Sequence, residues 1–482
     1  MLWWPLIGVA LAAETPPELK ASWRTTVAAD LAHENDYEDV FESLSQMRAA
    51  IKWKLPSGDR VVLSVVGEHS ARMGEDTEAE WTPWADDAYV DHRAGDLRLR
   101  IGNQVVRWGK LESTALLDVL NPTDLRHGAL SPIDDRRVPI PMIRARQGWG
   151  ALGVDAVVIP FFIPARQSFV GSDWSLFPPG LLESTLHAAQ NWEGDALTET
   201  FNQALVAGLT DALDQADDAF LRGVDRTLGE AGTPNALGQG AEAALRMQWS
   251  GAGFDVGLQG GSVLEDVTTI IVDEAFVQNL SNQSFPTTEE LGALIEGLGD
   301  AIEFAHPRFL FAGFDASSTL GVLTLRAEAA AFKGRAVLTR AMSLETSDEL
   351  GAGFGIDWLT NPHIQTSLEG TWRRLLDVEE SALLIRKLDE YAVSAQISGN
   401  LFRNQLKPNL VVQVDPVRTE AVVVTNLGWR CSDHVELTAG AFFFHSPSET
   451  PDSMDALLGY DGGAVGLFDN NDAATASFTY WF

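Results

Sequence analysis

Apolar and polar residues alternate with a period of two along many short stretches of the chain. The stretch DLRLRIGNQVV places Leu97, Leu99 and Ile101 on one side of an extended chain and its arginines on the other. Similar alternation recurs in ASWRTTVAADL, QMRAAIKWKL, RVVLSVVGEHS, LGVLTLRAEAAAF, EYAVSAQISGN, TEAVVVTNLGWR and HVELTAGAFFFHS. These stretches run to about 9–13 residues, which is the length a tilted β-strand needs to cross a bilayer. The pattern predicts an all-β protein whose strands each have one apolar face.

The connections between the predicted strands alternate between short and long ones. The short set is rich in Gly, Pro, Asn and Asp and comprises 56–59, 93–96, 148–150, 250–253, 315–319, 360–363, 404–408 and 431–433. The other set comprises 34–43, 73–82, 108–139, 163–239, 265–304, 332–348, 376–389 and 446–471, together with one short connection near Pro416. A soluble β-sandwich has no reason to sort its connections by length. The sorting therefore predicts a closed antiparallel transmembrane β-barrel of 18 strands, with both termini at the short turns.

The C-terminal stretch ASFTYWF reads as a strand up to the last residue, with Phe478, Tyr480 and Phe482 on one face. A strand with no polar tail after it needs a partner on both edges or a cap over the open edge, and a closed barrel supplies both partners. At the other end, the apolar run Leu2–Ala13 predicts a secretory signal peptide over residues 1–13. We therefore expect the barrel to occupy residues 20–482.

Composition narrows the function further. The chain has one cysteine among 482 residues, so it forms no internal disulfide and offers no cysteine-based metal site. A formal net charge of −34 argues against a nucleic-acid partner. No motif for a metal, dinucleotide or other cofactor is found, and we predict none. His127 lies near Ser131 and Asp124 in sequence, but a catalytic triad is defined by geometry, and we predict no enzyme activity.

Two long connections have the period of amphipathic helices, at about 180–230 and 286–303. We expect these helical insertions to cap the barrel from outside, and the alternative is that one of them plugs the lumen.

Charged residues on the polar faces of the strands predict a charged lumen. A charge on the lipid face costs roughly 2–4 kcal/mol at the bilayer midplane, so these side chains are expected to point inward. The predicted pore-lining residues are Arg48, Lys52, Lys54, Glu68, Asp87, Asp91, Arg98, Arg100, Arg144, Arg146, Arg326, Glu328, Glu369 and Glu420. They either set up a transverse field in a water-filled pore or pair with one another in a closed lumen.

The connection 108–139 is the candidate for a loop that folds inward and constricts the pore. It is stiffened by several prolines and carries six charged candidates: Asp118, Asp124, Asp134, Asp135, Arg136 and Arg137.

Several short motifs resemble a known family. Between residues 97 and 150 they are Arg100-x-Gly102-x-Gln104, Trp108-Gly109 and Asn121-Pro122-x-Asp124. They resemble an uncharacterised group of proteobacterial outer-membrane β-barrels related to alginate-export porins. The resemblance implies an 18-stranded barrel and no settled substrate. The terminal Phe478, Tyr480 and Phe482 resemble the signal that the barrel-assembly machinery reads.

We therefore predict a porin-like channel of the bacterial outer membrane that passes an unknown small solute by diffusion. Its other predicted partners are outer-membrane lipid and the barrel-assembly machinery. Two alternatives stay open. One is a plugged or gated barrel that exports a polymer or carries an apolar molecule, and the other is a surface-exposed binding or scaffold barrel.

Overall fold

The computed structural model describes residues 16–31, 41–73, 77–132, 135–168, 174, 240–272, 302–340, 343–451 and 459–482. Twenty strands are found in these ranges. They are β1 (Glu18–Asp30), β2 (Phe41–Lys54), β3 (Arg60–Met73), β4 (Thr77–Ala94), β5 (Leu97–Gln104), β6 (Ile140–Trp149), β7 (Leu152–Ile159), β8 (Glu242–Gly251), β9 (Phe254–Leu264), β10 (Thr269–Val272), β11 (Ile302–Ala305), β12 (Arg308–Leu320), β13 (Leu323–Leu338), β14 (Leu344–Asn361), β15 (Ile364–Leu375), β16 (Asp389–Gly399), β17 (Leu406–Asp415), β18 (Glu420–Arg430), β19 (Val435–His445) and β20 (Ala473–Trp481). Short 3-10 turns occupy Gly128–Leu130, Glu380–Ala382 and Gly466–Phe468.

Eighteen of these strands form one closed antiparallel β-barrel, which confirms both the predicted fold class and the predicted strand number. Each strand pairs with its neighbours in sequence, β9 pairs with β12, and β1 closes the ring by pairing with β20. Strands β10 and β11 form a separate two-stranded sheet. The last strand, β20, therefore has a partner on each edge.

The two faces of the barrel wall differ in composition. On β14, the side chains of Leu350, Phe354 and Trp358 are exposed on the outer face, while Glu349 on the other face is fully buried. The same rule holds on β5 and β6, where Ile101 and Ile143 are exposed on the outside. The alternation read from the sequence is thus the alternation between the outside of the barrel and its lumen.

Some predicted connections are strand instead. The connections predicted at 73–82 and 332–348 shrink to 74–76 and 339–343, because the flanking strands stay paired beyond the expected ends, as far as Met73↔Thr77 and Leu338↔Leu344. The turn predicted at 315–319 lies inside β12, and the actual turn is at 321–322. Asp315 and its polar neighbours mimic a turn in sequence, but Asp315 faces the lumen and pairs with Arg246.

Other predictions fall outside the described residues. These are the signal peptide over 1–13 and both helical insertions, except that Ile302 and Glu303 belong to β11. No helix within the described ranges is long and apolar enough to span a membrane.

Candidate functional site

Residues 105–139, which join β5 to β6, enter the barrel, and we call them the crossing segment. The first half of this segment is held by a buried carboxylate on the inner face of β13. Glu328 accepts backbone N–H bonds from Lys110, from Leu111 at 2.7 Å and from Leu116 at 3.0 Å. Three donors on one carboxylate fix the segment through its backbone, whatever side chains it carries.

A second carboxylate on the same wall repeats this arrangement. Glu369 of β15 accepts N–H bonds from Glu112 at 2.9 Å and from Ser113 at 2.8 Å. Arg326 of β13 lies 3.0 Å from Glu369 and donates to the carbonyl oxygen of Lys110 at 2.9 Å. One wall therefore satisfies both donors and acceptors of the segment's backbone.

The second half of the crossing segment is held by a different wall. Glu68 of β3 lies 3.0 Å from Arg126 and 3.0 Å from His127 Nε2. Arg24 of β1 donates to Asp135 at 2.6 Å. Strands β3 and β13 are eight strands apart one way round the ring of 18 and ten the other way. Contacts to both are made only by a chain that crosses the lumen from one wall to the other.

Apolar side chains of the first half of the segment pack against the same side of the barrel as Glu328. Trp108, Leu116 and Leu117 are buried with Phe311 and Phe332 in one cluster. Its other fully buried members include Val106, Leu120, Val138, Ile140, Met142, Val157, Ile159 and Phe309. The segment and strands β6–β9, β12 and β13 therefore fill this part of the lumen with closely packed apolar side chains.

Glycines on the inner face make room for the segment's leucines. A Cβ at Gly353 would lie 2.5 Å from the Cδ1 atom of Leu111, and one at Gly313 would lie 2.1 Å from the Cδ2 atom of Leu117. Both distances are shorter than a packed carbon–carbon contact, so only glycine allows the leucines to approach this closely.

A buried asparagine ties the two ends of the segment together. Asn121 Oδ1 accepts the N–H of Val106 at 2.7 Å, and its Nδ2 donates to the carbonyl oxygens of Gln104 and Val138 at 3.1 and 2.9 Å. All three bonds are made inside the fold, because Asn121 is completely buried. Asn121 thus holds the point where the segment leaves β5 close to the point where it returns to β6.

The predicted constriction-loop residues fall within this network. Asp118 pairs with Arg137 at 2.7 Å, and Arg136 donates to the carbonyl oxygen of Ser131 at 3.0 Å. Burial would raise the pKa of Asp124, but Arg126, His127 and Arg166 outweigh it and hold that pKa below its ordinary value. For Asp135, Arg24 and Arg48 likewise outweigh burial and lower the pKa. Asp134 lies outside the described residues.

The predicted basic wall carries its own counter-charges. Arg98 and Arg100 share Asp91, to which Arg98 Nε donates at 2.7 Å. Arg144 and Arg146 share Asp155 of β7, at 2.5 and 3.7 Å. Arg48 pairs with Asp86 at 3.1 Å and with Asp135 at 3.5 Å. Asp155 and Arg24 were not predicted, although their place in the alternating pattern was a usable signal.

The remaining predicted residues are more scattered. Lys52 and Lys54 share the inner face of β2 with Arg48. Asp87 lies in a β-bulge, where Asp86 and Asp87 together face Ser64. Glu420 accepts the N–H of Gly463 at 2.5 Å, so it holds a connection at the opposite end of the barrel from the short turns.

Two further sequence observations can be located in the structure. His127 contacts Glu68, an interaction that the nearness of Ser131 and Asp124 did not suggest. Phe478 and Tyr480 lie on the outer face of β20, where Phe478 packs edge-on against Trp23 at 5.7 Å. Both residues therefore belong to the seam that closes the barrel.

Comparison with known proteins finds one family model that matches part of the chain and several similar solved structures. A family model described as "Protein of unknown function (DUF1302)" matches residues 18–151, from the start of β1 through the crossing segment and β6. No curated protein sequence matches the chain. A mutant of the Rh. blastica porin is 11% identical over 97% of this chain and 100% of its own, with a TM-score of 0.37. The outer membrane channel DcaP of Acinetobacter baumannii is 8% identical over 97% of both chains, with a TM-score of 0.40. Likeness at this level adds nothing to the strand order described above.

Proposed function

We propose that this protein is an outer-membrane channel whose lumen is narrowed by the crossing segment, and that small solutes diffuse through the remaining opening. The observation that carries the proposal is the anchoring of one segment to opposite walls, by Glu328 and Glu369 on one side and by Glu68 and Arg24 on the other. The exposed apolar outer face suits lipid, and the charged inner face suits water.

The wall that the apolar cluster leaves uncovered supports a water-filled passage. The inner faces of β16 to β20 are rich in neutral polar side chains that are half-buried: Gln396, Asn409, Gln413, Asn426, Thr438, Thr475, Ser477 and Thr479. Partial exposure of inward-pointing side chains indicates space beside them, and amide and hydroxyl groups interact well with water and small polar solutes. Leu130 of the crossing segment packs against Phe442 and Ala473 at one end of this wall. The path we propose lies beside that contact, between the crossing segment and the polar side chains.

The charged residues take defined roles in this proposal. The pore-lining set predicted from the sequence faces the lumen, where Glu68, Glu328 and Glu369 anchor the crossing segment, and the constriction-loop set belongs to that segment. We further propose that the barrel-assembly machinery recognises Phe478, Tyr480 and Phe482 at the closing strand. No cofactor and no catalytic step enter the proposal.

Planar-bilayer recording tests the proposal. The refolded protein should show discrete open steps, and deletion of residues 112–135 should raise the single-channel conductance, because it removes the chain that crosses the lumen. A correctly folded barrel without open steps would contradict diffusion. An unchanged conductance after the deletion would show that the crossing segment does not set the constriction.

The apolar cluster favours a second candidate, a gated barrel. The packing of Trp108, Leu116 and Leu117 against the wall resembles a domain core more than the lining of a water channel. Liposome swelling with sugars of graded size separates the two. An open channel admits the smallest sugars in the wild-type protein, whereas a gated one admits them only after the deletion.

A further inference from the structure

We propose that four arginines near the short turns form a binding site for oxyanions, that is, for the carboxylate or phosphate groups of a solute. This arginine quartet consists of Arg98 and Arg100 on β5 and Arg144 and Arg146 on β6. The site deepens the proposed function, since its ligand would reach it through the lumen.

Strand register places like charges directly opposite each other. Arg98 is the cross-strand partner of Arg146, and Arg100 is the partner of Arg144. Directly opposed like charges destabilise a sheet, and here two consecutive pairs on one face both lower the stability of the barrel. A bound anion between the strands would relieve this repulsion.

The quartet has fewer ion-paired carboxylates than guanidinium groups. Asp91 lies beside Arg98 and Arg100, and Asp155 lies beside Arg144 and Arg146. Four guanidinium groups thus share two ion-paired carboxylates, and Asp87 also attracts Arg100 at longer range. The quartet therefore keeps an excess of positive charge. This excess stands in a chain whose formal net charge is −34. Further basic residues, Lys54, Arg60 and Arg93, lie on the same end of the inner face.

The exposed fractions of the side chains show that the arginines reach further into the lumen than the carboxylates do. The Asp91 side chain is 2% exposed, whereas Arg98 and Arg146 are 29% and 48% exposed. Arg100 lies 4.1 Å over the ring of Tyr89, which holds its plane in place. The carboxylates therefore support the arginines from below, while the outer guanidinium groups face solvent.

The chemistry of the site selects the ligand class. A guanidinium group binds carboxylate or phosphate through two parallel N–H bonds, which a chloride ion cannot reproduce. Four guanidinium groups that share two ion-paired carboxylates suit a solute with more than one ionised oxygen group. We therefore expect di- and tricarboxylates or phosphate esters to bind in preference to monovalent inorganic anions.

Calorimetric titration of the detergent-solubilised full chain tests the site. Citrate and inorganic phosphate are the probes, and chloride is the reference anion. We expect saturable citrate binding that weakens with salt, and a loss of about tenfold or more in affinity for Arg98→Gln and Arg146→Gln. Phosphate binding without citrate binding would restrict the ligand class to phosphate and contradict the carboxylate part of the proposal.

Two further variants distinguish loss of the binding site from misfolding of the protein. Asp155→Asn removes a counter-charge and should tighten citrate binding, an effect that misfolding would not produce. The matched control is Arg374→Gln, because Arg374 is also 48% exposed and ion-paired, but lies on the outer face of β15. It should leave citrate affinity unchanged. Absence of citrate and phosphate binding to the wild type, or equal losses in Arg374→Gln and Arg146→Gln, would overturn the site.

Bilayer recordings separate this proposal from the channel itself. Citrate on the short-turn side should reduce current in the wild type but not in Arg98→Gln. A conducting barrel that citrate neither binds nor blocks would refute the oxyanion site alone. Citrate binding in detergent by a barrel that never conducts would support the site and contradict the proposed channel.

Discussion

Glu328 provides the sharpest test of how the crossing segment is held. Its carboxylate accepts three backbone N–H bonds, one oxygen serving Lys110 and Leu111 and the other serving Leu116. Glu328→Gln keeps the shape of the side chain but replaces one acceptor oxygen with an NH₂ group that can only donate. At least one backbone N–H then faces another donor inside a buried site.

The expected magnitude follows from these bonds. A hydrogen bond to a charged group contributes roughly 1.5–3 kcal/mol, and an unmet buried donor costs roughly 1–3 kcal/mol. With one bond lost and the others weakened, the anchored arrangement should lose about 3 kcal/mol relative to a displaced one. That corresponds to roughly a hundredfold change in the ratio of the two arrangements.

Single-channel recording measures the effect as longer or more frequent high-conductance periods in Glu328→Gln. The matched control is Glu436→Gln, because Glu436 also faces the lumen but pairs with Lys407 of β17. It should preserve the wild-type pattern of openings. If Glu328→Gln folds normally and its openings match those of the wild type, this carboxylate does not hold the segment in place.

Three further predictions concern other parts of the structure. Gly353→Ala should lower thermal stability by about 1–3 kcal/mol because its Cβ meets Leu111, whereas Gly370→Ala, with its nearest atom 4.0 Å away, should be tolerated. Equal thermal midpoints for the two variants would contradict this. Asn121→Ala should lower the free energy of unfolding, measured by denaturant titration, by about 3 kcal/mol, because it leaves the N–H of Val106 and the carbonyl oxygens of Gln104 and Val138 without this partner. A change below experimental error would count against it. Cys431, the single cysteine and an exposed one, lies in a short turn, so a membrane-impermeant maleimide should label it in permeabilised cells and not in intact ones. We expect this label because short turns of outer-membrane barrels face the periplasm, and labelling of intact cells would contradict that orientation.

The barrel could be predicted from sequence because its rules are local. Side chains alternate along each strand, and tight turns have their own residues, so strand number and closure follow from reading short stretches in order. The predicted turn at 315–319 was wrong because polar residues in a short stretch can also be lumen-facing residues of a strand. Asp315 looked like part of a turn, but it is a lumen-facing partner of Arg246.

The contacts of the crossing segment could not be predicted from such local patterns. The sequence indicated an inward loop and its charges, but not that Glu328 and Glu369 would accept its backbone N–H groups. Those pairs join residues more than two hundred positions apart, such as Leu111 with Glu328. Backbone donors carry no side-chain signature, so composition and spacing cannot reveal which carboxylate receives them.

The same separation has a consequence for how the molecule folds. Most strand pairs join neighbours in sequence and close short loops, whereas the β1–β20 seam joins residues such as Thr26 and Ser477, which are 451 positions apart. The crossing segment is made early in the chain, yet its docking sites on β13 and β15 come late. Contacts of such long range close slowly, because the entropy of a large loop must be lost first. We therefore expect a late folding intermediate with hairpins formed and the segment undocked. Variants of Glu328 should slow its last step and leave the early steps unchanged.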